Sequence, residues 1–289
     1  MKYVFMKENN AYFPIEKMAQ VLKVSRSGYY RWKGNPRSLS KENLQLLDHI
    51  RSIYHAKRRK YGSPRITDEL KEQGIRVGKN RVAKLMKHDG LWAKAAKKFK
   101  VTTDSNHSYP VCKNLLKKPF KADIPNQIWV SDITYIWTRE GWVYLAAILD
   151  LFSRQIVGWS ISSRQKQDLV IRALEHAVKR RQPNPGTIIH SDQGSQYASH
   201  HYQRIVKYYG LIQSMSHKGN CYDNAVMESF FHTMKVEHIY GEPAFETRNQ
   251  AIKSIFYYIE IFYNRERKHS SIGYKSPVDF ERGFIVNVA

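Results

Sequence analysis

The sequence has only two cysteines and no apolar run long enough to cross a bilayer. Cys112 and Cys221 form neither a disulfide framework nor a zinc-ligand spacing, which fits a reducing compartment. A spanning helix needs about 20 apolar residues, and residues 1–7 are interrupted too soon by lysine to act as a secretion signal. We therefore expect neither a secreted disulfide scaffold nor a membrane protein, and we place the protein in the cytoplasm.

Acidic residues are also scarce. The chain of 289 residues has 25 Asp and Glu against 48 Lys and Arg, a net charge of +23. The excess is concentrated in residues 1–121, whose net charge is +20, whereas residues 122–289 carry only +3. A merely soluble basic protein remains an alternative, but an excess confined to one part of the chain favours binding to nucleic acid.

Two short amphipathic segments lie near the start of the chain. Apolar residues recur at helical spacing from Ile15 to Leu22, and Ser25 can cap a second helix that ends at Gly34. Two helices joined by a tight turn predict a helix-turn-helix-like segment over residues 1–36. On these residues alone, an ordinary helical hairpin is nearly as good an interpretation.

Residues 37–92 predict three helices and a DNA-binding surface. The first helix passes through Leu44 and Tyr54, Ser63-Pro64 begins the second, and the third runs from Asn80 to His88. Basic side chains around these helices can neutralise phosphates, although a basic run is most often only a solvated loop. The candidate DNA contacts are Arg58, Arg59, Lys60, Arg65, Lys79, Arg81 and Lys84.

The helical pattern stops after residue 92, and a strand-rich pattern follows. Lysine-rich residues 93–123 predict a linker that can become ordered on DNA. Residues 124–289 predict the element order β-β-β-α-β-α-β-α, which is typical of a ribonuclease H-like fold. We therefore expect an all-α helix-turn-helix region, then an α/β catalytic core with a five-stranded mixed sheet and flanking helices. The predicted strands are Gln127–Trp137, Gly141–Leu151, Gln155–Ile161, Thr187–Ser191 and Leu211–Met215, and the helices are Gln167–Arg181, Ser199–Tyr209, Asn224–Ile239 and Thr247–Tyr263.

Three carboxylates fall where this fold would bring them together. Asp132 lies on the first, central strand, Asp192 ends the adjacent parallel strand, and Glu228 is one turn into the helix after the fifth strand. Carboxylates without His or Cys suit Mg²⁺ or Mn²⁺ rather than zinc, and two such ions about 4 Å apart could hold the attacking and leaving oxygens at phosphorus. Each acid alone is better explained as a strand-edge, turn or helix-surface residue. The 35 residues between Asp192 and Glu228, and Lys235 two helical turns after Glu228, favour a shared site.

Several motifs accompany the acids and together are specific. They are WVSDITY at 129–135, DLFSR at 150–154, VGW at 157–159, HSDQGSQY at 190–197, SMS at 214–216, GNCYDNA at 219–225, ESFF at 228–231, YNRER at 263–267, YGSPRI at 61–66 and RVAKLM at 81–86. With these motifs the sequence resembles the DDE transposases of bacterial insertion sequences, specifically the downstream-frame product of the insertion-sequence-three group in the retroviral-integrase superfamily. The resemblance covers nearly the whole chain and shows no departure at the three acids.

The resemblance implies roles for residues and partners. Asp132, Asp192 and Glu228 would be the metal-binding catalytic triad with two Mg²⁺ ions, for which Mn²⁺ can substitute. Lys235 and Lys218 would contact DNA phosphate. The expected partners are double-stranded DNA, as terminal inverted repeats and target, further copies of the chain on that DNA, and an upstream-frame companion protein to which the chain can be fused by frameshifting. The expected location is the bacterial cytoplasm, on the nucleoid.

The expected reaction is hydrolysis of a phosphodiester at the element's end, followed by attack of the freed 3′-hydroxyl on another phosphodiester. Two alternatives are a nuclease of the same fold that does not join strands, and a DNA-binding repressor whose catalytic domain is only a scaffold. Neighbouring residues are predicted to be structural. Asn224 and Asp223 would cap the catalytic helix, and His190 would be a hydrogen-bonded structural residue, with a position near the metals as the alternative. Trp129, Trp142 and Trp159 would pack in the core or between strands.

Overall fold

The computed structural model describes residues 2–34, 39–93, 110–116, 121–217, 224–240 and 242–288. The chain divides into two compact units, Met1–Ala93 and Lys94–Ala289. In the described ranges, no helix is both long and apolar enough to cross a membrane.

The first unit is helical. Met6, Met18, Ala19 and Tyr29 form the buried cluster among its first three helices, of which the first was not predicted. The helix predicted to start with Ser63-Pro64 has Gly62 as its N-cap, so Pro64 is its second residue, a position that needs no N–H acceptor. The helices are α1 Lys2–Glu8, α2 Ile15–Val21, α3 Arg26–Gly34, α4 Lys41–Ala56, α5 Ser63–Glu72 and α6 Lys79–His88.

The second unit contains the predicted five-stranded mixed sheet. Its strand order is β3-β2-β1-β4-β5, with β1 antiparallel to β2, β2 antiparallel to β3, and both β1–β4 and β4–β5 parallel. The sequence and the structure agree on these strands to within one residue at each end, because each is an apolar, β-branched run with a turn at its ends. The strands are β1 Ile128–Thr138, β2 Gly141–Asp150, β3 Ile156–Ser162, β4 Ile188–Ser191 and β5 Ile212–Met215.

Helix α7 covers one face of this sheet and packs closely on β3. A Cβ added at Gly158 would collide with the carbonyl oxygen of Ala173 and with Ala177 of α7, so this close approach requires glycine. The α7 residues Leu169, Val170 and Leu174 are buried in the same core as Trp129 of β1. The helices of this unit are α7 Gln167–Arg181, α8 Ser195–Ala198, α9 His200–Tyr208, α10 Ala225–Met234, α11 Arg248–Phe256 and α12 Pro277–Val288.

Two predicted helices change their winding before they end. Helix α10 continues as a first π-helix, Lys235–Ile239, and α11 continues as a second, Tyr257–Glu266. The spacing of apolar residues indicates a helix but not a switch from i→i+4 to i→i+5 hydrogen bonds, so the sequence did not reveal it. Helix α12 and a 3₁₀ turn at Ser270–Ile272 were also not predicted.

Part of the predicted linker lies against the sheet. The backbone N–H of Leu115 donates to the Ser214 hydroxyl at 2.9 Å, and that of Met215 donates to the Lys113 carbonyl at 3.4 Å. Cys112 packs against the core of this unit. Residues 110–116 therefore run beside β5, the edge strand, and the domain boundary predicted within 93–123 stays a prediction.

Candidate active site

Asp132 and Asp192 are brought together by the register of two parallel strands. Val130 of β1 is paired with His190 of β4, and each aspartate lies two residues beyond its paired residue. The backbone N–H of Ile133 donates to Asp132 Oδ1 at 2.7 Å, and that of Gly194 donates to Asp192 Oδ1 at 3.0 Å. Both carboxylates line one cavity of about 330 Å³ and are oriented there by the backbone.

Glu228 is the fourth residue of α10, the helix that packs on β1. Its side chain is exposed, and partial desolvation raises its pKa. The pKa of Asp132 is raised well above its usual range, first by burial and then by the negative charges of Asp192 and Glu228. Two of the predicted acids thus share a cavity, and the third acts on the first through its charge.

The donor set suits a hard cation. Three carboxylates that disfavour one another's ionised form would be relieved by a divalent ion, and oxygen-only ligands fit Mg²⁺ or Mn²⁺. In the part of the chain that the structure describes, no group of three Asp, Glu, His or Cys side chains lies close enough together to hold a metal ion. Asp132 and Asp192 therefore form the core of the candidate site, and Glu228 stands outside the cavity lining.

Asn224 links α10 to β1. The sequence predicted a helix cap, but the Asn224 side chain makes no cap hydrogen bond, although it occupies the N-cap position of α10. Its Nδ2 donates instead to the carbonyl oxygen of Ser131, the residue before Asp132, at 3.2 Å. The predicted position of Asn224 is therefore right but its predicted cap hydrogen bond is wrong, and Asp223 lies outside the described residues. The contact of Asn224 fixes the start of α10 against the strand that carries Asp132.

Lys235, predicted to face phosphate from the Glu228 face of the helix, is only 6% exposed. It begins the first π-helix, and its Nζ lies 4.7 Å from the ring centroid of Tyr135. Burial lowers the pKa of Lys235, and the nearby charge of Asp132 raises it again. Lys235 is therefore an internal cation beside the acids, and its contact with DNA stays a prediction.

The predicted DNA contacts near the start of α5 differ in exposure. Arg58 and Arg59 are exposed in a turn in which both have left-handed backbone angles, whereas Lys60 is only 6% exposed. Arg65 is half-buried with its guanidinium 5.3 Å from the Tyr61 ring centroid. The basic run therefore presents its two arginines outward and Lys60 inward.

Helix α6 carries the other predicted contacts. Lys79, Arg81 and Lys84 are exposed, and Arg81 donates to Asn43 Oδ1 at 3.0 Å. Lys218, predicted beside the acids, lies outside the described residues. The contact of these residues with DNA stays a prediction.

Tryptophan and histidine predictions near the site have mixed outcomes. Trp129 is fully buried, and Trp159 donates its indole N–H to Glu260 at 2.8 Å. His190 is buried with Nδ1 2.9 Å from the Ser214 hydroxyl, so its structural role is confirmed. Trp142 packs across the strands as predicted but is not a core residue, because it is 43% exposed.

The sequence did not reveal which residues connect α10, the first π-helix and β3 to the segment near residue 265. Three of these residues lie in the YNRER motif. Tyr263 packs its ring 4.7 Å from that of Phe230 in α10. Asn264 accepts from the N–H of Ile156 and donates to its carbonyl, both at 2.9 Å. Arg267 forms a two-bond ion pair with Glu237, each bond 2.8 Å. The motif therefore joins α10, the first π-helix and β3.

Comparisons with known proteins identify domains and relatives of this chain. Residues 122–221 and 209–277 each match an integrase core domain, and residues 41–99 match an HTH-like domain. Transposase InsF for insertion sequence IS3A from Escherichia coli K12 is 45% identical over 285 residues, covering 97% of this chain and 98% of that protein. The insertion element IS600 uncharacterized 31 kDa protein from Shigella sonnei is 46% identical, covering 92% and 98%. The simian T-cell lymphotropic virus intasome in complex with PP2A regulatory subunit B56 gamma is a solved structure with 14% identity, a TM-score of 0.47, and coverage of 80% of this chain and 74% of that one.

An HTH-like domain followed by an integrase core, in a chain with transposase relatives, defines the class of DNA transposases and integrases. Within that class, the chain belongs to the IS3 family of insertion-sequence transposases. The predicted family, fold class and general function are thereby confirmed.

Proposed function

We propose that Asp132, Asp192 and Glu228 hold two Mg²⁺ ions and form the centre at which this transposase cuts and joins DNA. The observation that carries the proposal is the β1–β4 register, which brings Asp132 on β1 and Asp192, directly after the end of β4, into one cavity. Bound Mg²⁺, or Mn²⁺ in its place, would position and activate the attacking oxygen and stabilise charge on the leaving oxygen. Glu228 would approach the aspartates when ions and DNA bind.

The chain's own residues supply position and charge at this centre. The N–H groups of Ile133 and Gly194 fix one oxygen of each aspartate. Asn224 holds the start of α10 against β1, which limits how far Glu228 can drift from the aspartates. Such preorganisation lowers the cost of assembling the site when the DNA arrives.

The proposed reaction has two phosphoryl transfers. In the first, water forms a bond to the phosphorus at the element's end, the P–O3′ bond breaks, and the 3′ oxygen leaves with a proton as a hydroxyl. In the second, that 3′-hydroxyl forms a bond to phosphorus in another DNA segment, whose own P–O3′ bond breaks. The number of P–O bonds is conserved in the second step, so it needs no external energy source.

We further propose that this site acts on DNA held by the first unit. Terminal inverted repeats would bind the basic side chains of the first unit, which are Arg58, Arg59, Arg65, Lys79, Arg81 and Lys84. Lys60 would add positive charge from inside that unit. Lys235 and Lys218 would add positive charge near the acids. Joining two ends in one event would require more than one copy of the chain on the DNA. An upstream-frame companion protein, free or fused, completes the proposed partners.

The test compares wild type with Asp192→Asn on DNA carrying the element's ends and Mg²⁺. We expect the substitution to reduce cleavage and joining by at least about 100-fold, because one charged ligand is lost while the side chain keeps its size. The exposed α7 residue Asp168 offers a matched control, and Asp168→Asn should leave both steps unchanged. Full activity of Asp192→Asn would refute the proposed centre, and cleavage by wild type without joining would indicate a nuclease.

A further inference from the structure

The cavity that holds the aspartates has a second wall made of aromatic rings. Tyr135 of β1 and Trp142 and Tyr144 of β2 also line it. The strand register pairs Tyr135 with Tyr144, so these two rings are direct cross-strand neighbours. The acids and the aromatic rings therefore face one continuous space.

The ring of Trp142 is exposed and held firmly. The side chain of Trp142 is 43% exposed. Tyr135 packs against it at 5.0 Å between ring centroids and Trp137 at 4.9 Å, both nearly perpendicular. A ring fixed by two edge-to-face contacts loses little further freedom when a ligand stacks on it.

The side chains that line the cavity favour a planar neutral group over a phosphate, although Lys235 lies close to the ring of Tyr135. Apart from the two aspartates, all lining side chains among the described residues are uncharged, and two of them, Gln165 and Gln196, carry amides. Rings and amides without a cation suit a planar, neutral, hydrogen-bonding group. A nucleobase has these properties, and stacking of bases on aromatic side chains does not depend on their sequence.

The distance from the acids fits a base near the scissile phosphate. Tyr135 is three residues along β1 from Asp132, or about 10 Å, and the pair Trp137–Trp142 is five residues along, or about 17 Å. At about 3.4 Å per nucleotide, these spans correspond to roughly three and five nucleotides. Because a paired base is stacked inside the duplex, only an unpaired base could reach the ring.

We propose that Trp142, with Tyr135 and Tyr144 beside it, stacks an unpaired base of the bound DNA within about five nucleotides of the phosphate at Asp132 and Asp192. This inference rests on the proposed function, since it takes the phosphate position from the acids. It assigns to the β1–β2 hairpin the task of holding the DNA end open beside the reacting bond.

The binding test uses the full chain and a duplex with a short single-stranded tail that carries 2-aminopurine, whose fluorescence falls when it stacks. Scanning the probe over the five nucleotides nearest the cleavage position should reveal quenching at one of them with wild type. Trp142→Ala should abolish that quenching and weaken binding of the tailed duplex by at least about fivefold, the lower limit for one aromatic stack. Trp142→Phe should keep both.

Two further variants separate stacking from packing. Trp142→Leu fills similar space without a ring and should also abolish quenching, so the test stands even if Trp142→Ala unfolds. Tyr208→Ala removes an exposed ring of α9 that does not line the cavity, and it should keep the quenching. Absence of quenching with wild type, or equal quenching with Trp142→Leu, would overturn the proposal.

Cleavage kinetics add a readout that a purely structural role would not move. Trp142→Leu should slow cleavage of fully paired ends more than cleavage of ends mismatched at the quenching position, because the mismatch removes the cost of unpairing. Equal slowing on both would count against base stacking. Quenching that depends on Trp142 while Asp192→Asn retains full cleavage would refute the acidic centre and leave the base site standing.

Discussion

At the scale of single residues, the site depends on side chains that do no chemistry. Asn224 is 6% exposed, and its Nδ2 reaches across to the Ser131 carbonyl beside Asp132. Among the described residues its Oδ1 has no hydrogen-bond partner. A buried amide whose oxygen accepts no hydrogen bond lowers stability. We therefore infer that the function of Asn224 is to link α10 to β1.

This link predicts a separation of activity from stability. Asn224→Ala should slow cleavage at saturating DNA by roughly tenfold, because the start of α10, which carries Glu228, loses its link to β1, while the free energy of unfolding falls by only about 1 kcal/mol. Single-turnover cleavage and thermal unfolding of the full chain measure the two effects. Asn184→Ala, at an exposed turn position, should change neither. A loss of stability without any loss of rate would show that Asn224 serves folding alone.

At the scale of elements, the first π-helix is fastened by a buried ion pair. Glu237 and Arg267 are both nearly inaccessible and share two hydrogen bonds, and the Tyr258 hydroxyl lies 3.4 Å from the same carboxylate. The Glu237 carboxylate raises the pKa of Arg267 despite the opposing effect of burial. This pair connects the continuation of α10 to the segment after the second π-helix.

The ion pair predicts a strongly non-additive double mutant. Arg267→Met alone should destabilise the protein by about 3–5 kcal/mol, because Glu237 is left charged and buried. Adding Glu237→Leu should restore most of that loss, since two apolar side chains of similar size can replace a buried pair. Denaturant unfolding of wild type, both single variants and the double variant gives the coupling. Additive losses would mean that the two side chains act independently.

Elements and pairings were not equally predictable from the sequence. The strands and α7 were predicted within about one residue, because periodicity and turn residues are local signals. The contacts of Asn224 with Ser131 and of Asn264 with Ile156 span 93 and 108 residues, and no local pattern encodes them. The burial of Lys60 was equally unpredictable. Lys60 ends a run of four basic residues that look alike in the sequence, and the left-handed turn at Arg58 and Arg59 directs its side chain inward.

At the scale of the whole molecule, positive charge and chemistry lie in different stretches of the chain. Residues 1–121 hold nearly all the excess positive charge, whereas the carboxylates that define the candidate centre lie beyond residue 121. Acids that repel one another would also repel DNA until cations bind. We infer that residues 1–121 supply most of the affinity for DNA, so that the acidic site need not attract it.

This division predicts how salt affects DNA binding. Neutralising three of the four exposed lysines and arginines of α6 should lower affinity at low salt and reduce the slope of log K against log salt by about 2.7, since each phosphate contact contributes about 0.9. The control removes the same charge from exposed lysines of the second unit and should leave that slope nearly unchanged. Titrations of the full chain on terminal-repeat DNA over a range of salt concentrations measure both slopes. Equal slopes for the two triple variants would show that net charge, rather than the α6 surface, governs binding. The test variant is Lys79→Ala, Arg81→Ala, Lys84→Ala, and the control is Lys179→Ala, Lys207→Ala, Lys253→Ala.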